Sequence, residues 1–189
     1  LDAYADAGGR YIDTADVYGG GSCERWIGDW LAERDRERYT IASKIYWQIR
    51  DGDPNSRGTN RKNVRDRIDA LLDRLDTDYV DVLYIHRWDD QTDARELMKT
   101  LDGLVESGRV HYLGASTHRP NAWKVARANE IARANGWEPF TVLQPRYNLV
   151  DREIEGDYLA FARQQGLAVC PWSPLGQGFL TGKYDRDAD

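Results

Sequence analysis

The stretch RYIDTADVYGGG (residues 10–21) places two ionisable side chains where a β-strand would end and a loop would begin. Asp13 closes a run of strand-forming residues, and Tyr18 follows five residues later, directly before a glycine cluster. Glycine is typical of tight turns, so the strand should stop before this cluster. The strand would fix the carboxylate, and the loop would carry the phenol above it.

Five more short runs of β-branched and aromatic residues follow along the chain, and longer segments of helical periodicity separate them. Repeated strand and helix units of this length predict a parallel sheet covered by helices. The six strand-type runs are RYIDT, RYTIASKI, YVDVLYIH, VHYLGAS, FTVLQ and GLAVCPW.

The segments between the strands predict amphipathic helices. In CERWIGDWLAERD (residues 23–35), Trp26, Ile27, Trp30 and Leu31 recur at spacings of three and four, which predicts a helix with both tryptophans in the core. Residues typical of helix caps mark the ends of four further predicted helices. These are residues 60–78 with Thr59 or Asn60 as N-cap, residues 94–108 ending at Gly108, a helix from Pro120 to Gly136, and about Glu153 to Gln165 before Gly166.

Two α/β architectures fit this alternation. A doubly wound dinucleotide-binding sheet should carry a GxGxxG turn after its first strand, and the sequence contains no such motif. A (β/α)8 barrel instead places its working residues at the carboxyl ends of successive strands. The residues at the strand ends therefore decide between the two architectures.

Polar, titratable or aromatic residues stand at the end of every predicted strand. Taken singly, each has an ordinary explanation, such as a capping aspartate, a solvated lysine or a core histidine. Together they would face one mouth of a barrel, because the strands are parallel. They are Asp13 with Tyr18, Lys44, His86, Ser116 with Thr117, Gln144, and Trp172 with Ser173.

Six motifs in order resemble the aldo-keto reductase family: YIDTADVYGGGSCERWIG, IASKI, DYVDVLYIHRWDD, YLGAS, LQPRYNL and PWSPLGQGFLTGKY. The resemblance covers essentially the whole chain as a single domain (residues 1–189). It implies a (β/α)8 TIM barrel of which about six of the eight β/α units are present. The family's first strand would lie before Leu1, and its eighth after Asp189.

The resemblance also implies roles for individual residues. The family's catalytic tetrad falls on Asp13, Tyr18, Lys44 and His86. A nicotinamide cofactor, NADPH by family expectation, would lie beside the tetrad, where Thr117 stands in place of the asparagine that the family commonly has. The implied cofactor contacts are Ser116, Thr117 and Gln144 to the carboxamide, Trp172 stacked on the ring, and Ser173, Leu175 and Gln177 at the pyrophosphate.

Elementary chemistry agrees with these roles. A free tyrosine has a pKa of about 10, which makes it a slow proton donor or acceptor at neutral pH. We expect the Lys44 ammonium to lower the pKa of Tyr18 by roughly one to three units. Asp13 would keep Lys44 charged and oriented, and His86 would donate a hydrogen bond to the substrate's carbonyl oxygen.

The expected substrate is a small carbonyl compound. Tyr46, Trp47 and Trp88 follow strand ends and are candidates for an aromatic substrate pocket. The IHRWDD and GAST variants resemble the branch of aryl-alcohol dehydrogenase-like reductases, which favours aromatic aldehydes. The alternative is a regulatory subunit like the potassium-channel β-subunits of the same family, but these carry Asn where this chain has His86.

Composition excludes several other functions. The net charge of −6 argues against nucleic-acid binding, and the Asp- and Arg-rich composition resembles the acidic surfaces of salt-adapted proteins. No apolar run approaches a membrane span and no signal sequence is visible, so we expect a cytoplasmic protein. The three histidines and two distant cysteines form no metal-ligand spacing, so we expect no metal. The oligomeric state has no signal in the sequence.

Overall fold

The computed structural model describes residues 1–117 and 122–184. Within these residues, six parallel strands form one sheet in which every strand pairs with the next strand along the chain. This order and the curl of the sheet are those of a (β/α)8 barrel with six of its units, as predicted. The strands are β1 (Tyr11–Asp13), β2 (Thr40–Ile45), β3 (Val80–Ile85), β4 (Val110–Thr117), β5 (Phe140–Pro145) and β6 (Ala168–Val169).

Helices connect the strands and cover the outer face of the sheet. Short 3-10 helices extend several of the connections, at Tyr18–Gly21, Arg36–Arg38, Pro54–Ser56 and Glu153–Glu155, and another follows β6 at Gly176–Thr181. The α-helices among the described residues are α1 (Asp2–Asp6), α2 (Ser22–Leu31), α3 (Arg61–Leu75), α4 (Ala94–Glu106), α5 (Ala122–Ala134) and α6 (Asp157–Gln165).

Alternate residues of each strand face opposite sides of the sheet. Ile41, Ile45 and Leu83 belong to the main core between the sheet and the helices. Ala42 and Tyr84 belong to a second cluster on the inner face. Lys44, Ser116 and Gln144 have the parity of this inner face, so the site described below lies inside the curve of the sheet.

A glycine in β4 makes room for an aromatic ring on the inner face. A Cβ atom at Gly114 would lie 2.3 Å from the Tyr84 ring, so only glycine lets that ring lie over the strand. The Tyr84 hydroxyl shares a hydrogen bond of 2.9 Å with the Tyr11 hydroxyl. Two phenols thus pack on the inner face beside the aliphatic side chains of Ala42, Val82 and Val142.

Most predicted helix ends are confirmed. The Asn60 side chain accepts a hydrogen bond from the Asn63 amide at the start of α3, and Gly108 and Gly166 adopt left-handed conformations after α4 and α6. The single helix expected over residues 153–165 is wrong, because Gly156 separates a 3-10 turn from α6. Pro120, predicted to start the fourth helix, lies outside the described residues.

The packing of α2 differs from the prediction at one tryptophan. Trp26 is 67% exposed, whereas Trp30 packs partly buried against the main core. The other face of α2 contacts α3 through Gly28, where a Cβ atom would lie 2.8 Å from the Leu75 carbonyl group. This close approach turns Ile27 and Leu31 into the core and leaves Trp26 on the outside.

Two side chains satisfy backbone groups at strand ends. The Tyr4 hydroxyl donates to the carbonyl oxygen of Tyr11 at 2.8 Å and accepts from its amide at 3.2 Å, at the outer edge of β1. The buried Asn129 amide of α5 bonds both the amide and the carbonyl group of Phe140, at 2.9 and 3.0 Å. The sequence analysis identified neither contact.

Candidate active site

The site is built on an ion pair between two neighbouring strands, in which the lysine is buried and the aspartate is partly exposed. Asp13 is the last residue of β1, and Lys44 is the penultimate residue of β2. The Lys44 ammonium donates to Asp13 Oδ2 at 2.5 Å and to the Thr14 carbonyl oxygen at 2.7 Å. The Lys44 side chain is 1% exposed, whereas that of Asp13 is 31% exposed. Two hydrogen bonds thus fix the position of the Lys44 ammonium, and the Asp13 carboxylate balances its charge.

Tyr18 and His86 stand above this ion pair. Lys44 Nζ lies 5.0 Å from the centroid of the Tyr18 ring. The Tyr18 and His86 ring centroids are 5.8 Å apart, and the rings are nearly perpendicular. His86 directly follows β3, and its backbone amide donates to the Ile45 carbonyl oxygen. The four residues assigned to the tetrad thus come together, although three different strands supply them.

Three glycines explain how Tyr18 reaches its position. Gly19, Gly20 and Gly21 all have positive φ angles, of 57°, 62° and 88°. Residues with a Cβ atom rarely adopt this conformation, so the GGG run allows the chain to reverse directly from Tyr18 into α2. The Arg74 side chain also packs closely on Gly21, because a Cβ atom at Gly21 would lie only 2.8 Å from Arg74 Cδ.

Burial shifts the pKa values of the tyrosine and the lysine toward their neutral forms. Burial raises the pKa of the Tyr18 phenol, and the Asp13 carboxylate raises it further. Burial lowers the pKa of the Lys44 ammonium, although Asp13 opposes this shift. The lowered pKa of Tyr18 that we expected from the sequence is not found, because desolvation, Asp13 and Cys23 all raise it.

Ser116 and Gln144 form the floor beside the tetrad. Both are buried. Ser116 Oγ donates to the backbone oxygen of Gln144 at 3.1 Å, and Gln144 Nε2 donates to Asp13 Oδ1 at 2.9 Å. Asp13 therefore accepts hydrogen bonds on both carboxylate oxygens, one from Lys44 and one from Gln144. Its orientation is fixed from two strands.

A cavity of about 430 Å³ opens over these residues. Its size suits a small organic ligand, and aromatic rings provide much of its wall. Trp47 and Trp172, which we predicted for substrate and cofactor contacts, both line it; Val17 also lines it, and the sequence analysis did not identify that residue. The lining residues are Val17, Tyr18, Trp47, His86, Ser116, Gln144 and Trp172.

Several predicted site residues do not line this cavity. Tyr46 is buried behind Trp47, with the two ring centroids 5.2 Å apart. Trp88 lines a separate, more polar pocket with Trp123 and Lys124. The pyrophosphate candidates Ser173, Leu175 and Gln177 lie in the loop after β6, where Ser173 and Gln177 have positive φ angles and Leu175 is 55% exposed.

Part of the predicted site falls beyond the region that the structure describes. The side chain of Thr117, the second predicted carboxamide contact, lies outside that region. Among residues 1–117 and 122–184, no group of His, Cys, Asp or Glu is arranged to hold a metal ion. In the same ranges, no helix is long and apolar enough to cross a membrane.

The fold and the site define a (β/α) barrel protein in which a tyrosine and a histidine line one cavity and a lysine–aspartate ion pair lies next to them. The model of the aldo/keto reductase family matches residues 1–189, and the chain belongs to this family. Its relatives include a norsolorinic acid reductase of Aspergillus flavus, which is 39% identical over 191 residues. That alignment covers 98% of this chain and 49% of the relative.

Two more relatives have similar identity. An aryl-alcohol dehydrogenase of Pestalotiopsis microspora is 41% identical over 187 residues, which is 95% of this chain and 48% of that protein. The norsolorinic acid reductase B of Aspergillus parasiticus is 40% identical over 196 residues, which is 100% of this chain and 51% of that protein. The chain thus spans about half the length of the curated relatives that it matches.

Proposed function

We propose that this protein is a nicotinamide-dependent reductase of aldehydes or ketones in which Tyr18 is the general acid. The observation that carries the proposal is the position of Lys44, paired with Asp13, next to Tyr18, which lines one cavity together with His86. Membership of the aldo/keto reductase family supports an oxidoreductase. The names of the relatives, which reduce norsolorinic acid or act on aryl alcohols, support an aromatic carbonyl substrate.

The walls of the cavity fit a nicotinamide ring and its carboxamide. Trp172 offers an aromatic face, and the Ser116 hydroxyl and the Gln144 amide offer hydrogen-bonding groups at the floor. An amide side chain has two N–H donors and one acceptor oxygen, and the bond to Asp13 occupies one donor. When bound, a reduced nicotinamide supplies the hydride that adds to the carbonyl carbon of the substrate. NADPH is the cofactor that we propose over NADH.

Residues of the chain itself would supply the proton for the carbonyl oxygen and the positive charge that stabilises the phenolate. Because the pKa of Tyr18 is raised by burial, the phenol keeps its proton at neutral pH, as a general acid must. As negative charge develops on the carbonyl oxygen, Tyr18 Oη gives that oxygen its proton and yields the alcohol. Lys44 stabilises the resulting phenolate, and Asp13 keeps the ammonium protonated.

His86 and Trp47 would position the substrate. The His86 ring lies at the edge of the Tyr18 ring and lines the same cavity, so it can hold the carbonyl oxygen next to the phenol. Trp47 lies 6.1 Å from His86 between ring centroids and forms the adjoining apolar wall. A flat aromatic aldehyde would pack against this wall with its carbonyl group toward Tyr18.

The proposal is tested by following oxidation of NADPH, and separately NADH, with 4-nitrobenzaldehyde at high salt. The Tyr18→Phe variant should lose turnover by roughly 10²- to 10⁴-fold, the usual contribution of a general acid. Tyr112→Phe is the matched control, because Tyr112 is exposed on β4 and should keep full activity. Turnover that survives in Tyr18→Phe refutes the role of Tyr18, and a parent chain inactive with both cofactors refutes the reductase assignment.

A further inference from the structure

A buried arginine in α3 contacts two different active-site loops. Arg67 is 2% exposed, although arginine is seldom buried without partners. Its guanidinium forms an ion pair with Asp16 and donates to the Trp47 carbonyl oxygen at 2.6 Å. A longer contact of 3.4 Å reaches the Ser56 carbonyl oxygen. One side chain thus joins α3 to the loop after β1 and to the loop after β2.

Both loops supply a wall of the cavity. Asp16 precedes Tyr18 by two residues, and the Tyr18 amide donates to the Ala15 carbonyl oxygen, so the Tyr18 loop is a tight turn around Asp16. Trp47 is itself a lining residue. Arg67 does not line the cavity. It therefore contacts the supports of Tyr18 and Trp47 without reaching the place where a substrate would bind.

The chemistry of the contact favours arginine over other residues. A guanidinium carries five N–H donors in a planar fork, so it can bond a carboxylate and a carbonyl oxygen at the same time. A lysine ammonium is a compact charge on a flexible stem and would favour the carboxylate. A pair needed only for stability could be replaced by apolar side chains, often without loss. A role in stability alone does not explain why Arg67 also donates a hydrogen bond to the backbone carbonyl oxygen of Trp47.

We propose that Arg67 is a positioning residue that fixes the distance between Tyr18 and Trp47 across the cavity. Through this distance it sets how tightly a flat carbonyl substrate is held, and that consequence rests on the proposed function. The positioning itself rests only on the contacts of Arg67. Asp16 is the link to the Tyr18 loop, and the Trp47 carbonyl group is the link to the other loop.

The positioning is tested by hydrogen exchange with mass spectrometry, which needs no turnover. In Arg67→Lys, we expect amides of residues 14–19 and 46–56 to exchange about tenfold faster than in the parent, while α4 and β3 keep their protection. Asp16→Asn should affect residues 14–19 alone. Arg65→Met, an exposed position on the same helix, is the control and should leave all segments unchanged. Unchanged exchange in both loops, or a uniform rise along the chain, would overturn the proposal.

The consequence for the substrate is tested by steady-state kinetics of the same variants. Arg67→Lys should raise KM for the aldehyde about tenfold and leave the dissociation constant of the cofactor within about twofold of the parent. A merely structural role would instead lower the active fraction, and therefore kcat, with KM unchanged. A parent without turnover refutes the proposed function, whereas the exchange experiment still decides the role of Arg67.

Discussion

Asp16 should make the protein more stable in mild acid than at neutral pH. Burial raises the pKa of Asp16 from 3.8 to about 6, although Arg67 opposes the shift, and Glu24 adds to it. Between these two values the native state holds more protons than the unfolded state, so the free energy of unfolding falls as pH rises. Integrating from pH 4.5 to 7.5 gives a decrease of about 2 kcal/mol that this one group contributes.

The measurement is urea unfolding of the parent and of Asp16→Asn at several pH values across this range. Glu24 also has a raised pKa, chiefly from burial, but it titrates in both proteins and largely cancels in their difference. The difference in unfolding free energy, parent minus variant, should fall by about 2 kcal/mol as pH rises from 4.5 to 7.5. A difference that is constant with pH, or that rises, would refute the assignment of a buried, reluctantly ionised carboxylate at this position.

Three further substitutions test the packing. Gly114→Ala should lose about 1–3 kcal/mol of unfolding free energy in urea titrations, because its Cβ would overlap the buried Tyr84 ring; an unchanged midpoint would contradict this. Gly28→Ala should lose a similar amount of unfolding free energy, because its Cβ would lie against backbone atoms of Leu75. A net stabilisation, from the better helix propensity of alanine, would show that α2 and α3 can separate. Asn129→Ala should lower stability by about 2 kcal/mol by leaving two backbone groups of β5 unpaired, and full stability would mean that these groups find other partners.

The fold could be predicted from the sequence because its strands and helices differ in period and length. Residues such as Ile41 and Leu83 are buried as their strand-type runs predicted, and Gly108 and Gly166 end the connecting segments where the sequence places them. The order of the strands follows, since parallel strands joined by single helices pair with their neighbours. The family resemblance then assigned the tetrad to residues that the structure brings together.

Two predictions from the sequence, the burial of Trp26 and the direction of the Tyr18 pKa shift, were wrong because both depend on burial in the folded structure. Trp26 has the spacing of a core residue, but the close contact of Gly28 with α3 rotates the helix so that Trp26 faces outward. The sign of the Tyr18 pKa shift depends on how much water reaches the phenol, which spacing cannot show. Charge proximity alone predicted the opposite direction.

The role proposed for Arg67 was also beyond the sequence analysis, although a signal was present. Arg67 follows Val64 by three residues and adjoins Ile68, so helical periodicity places it on the buried face of α3. A charged residue on a buried face needs a partner. The partner, Asp16, is remote in the chain, and no local pattern distinguishes it from Asp13 or from a turn residue.

The hydroxyl of Tyr4 changes what the outer edge of β1 can do. An exposed strand edge normally offers free amide and carbonyl groups that another strand can pair with. At Tyr11 both groups are already bonded to Tyr4, so a strand arriving there would break two hydrogen bonds in order to form two. Pairing of another strand with β1 at this point thus gains little hydrogen-bond free energy. The Tyr4 hydroxyl therefore disfavours self-association through this edge of the sheet.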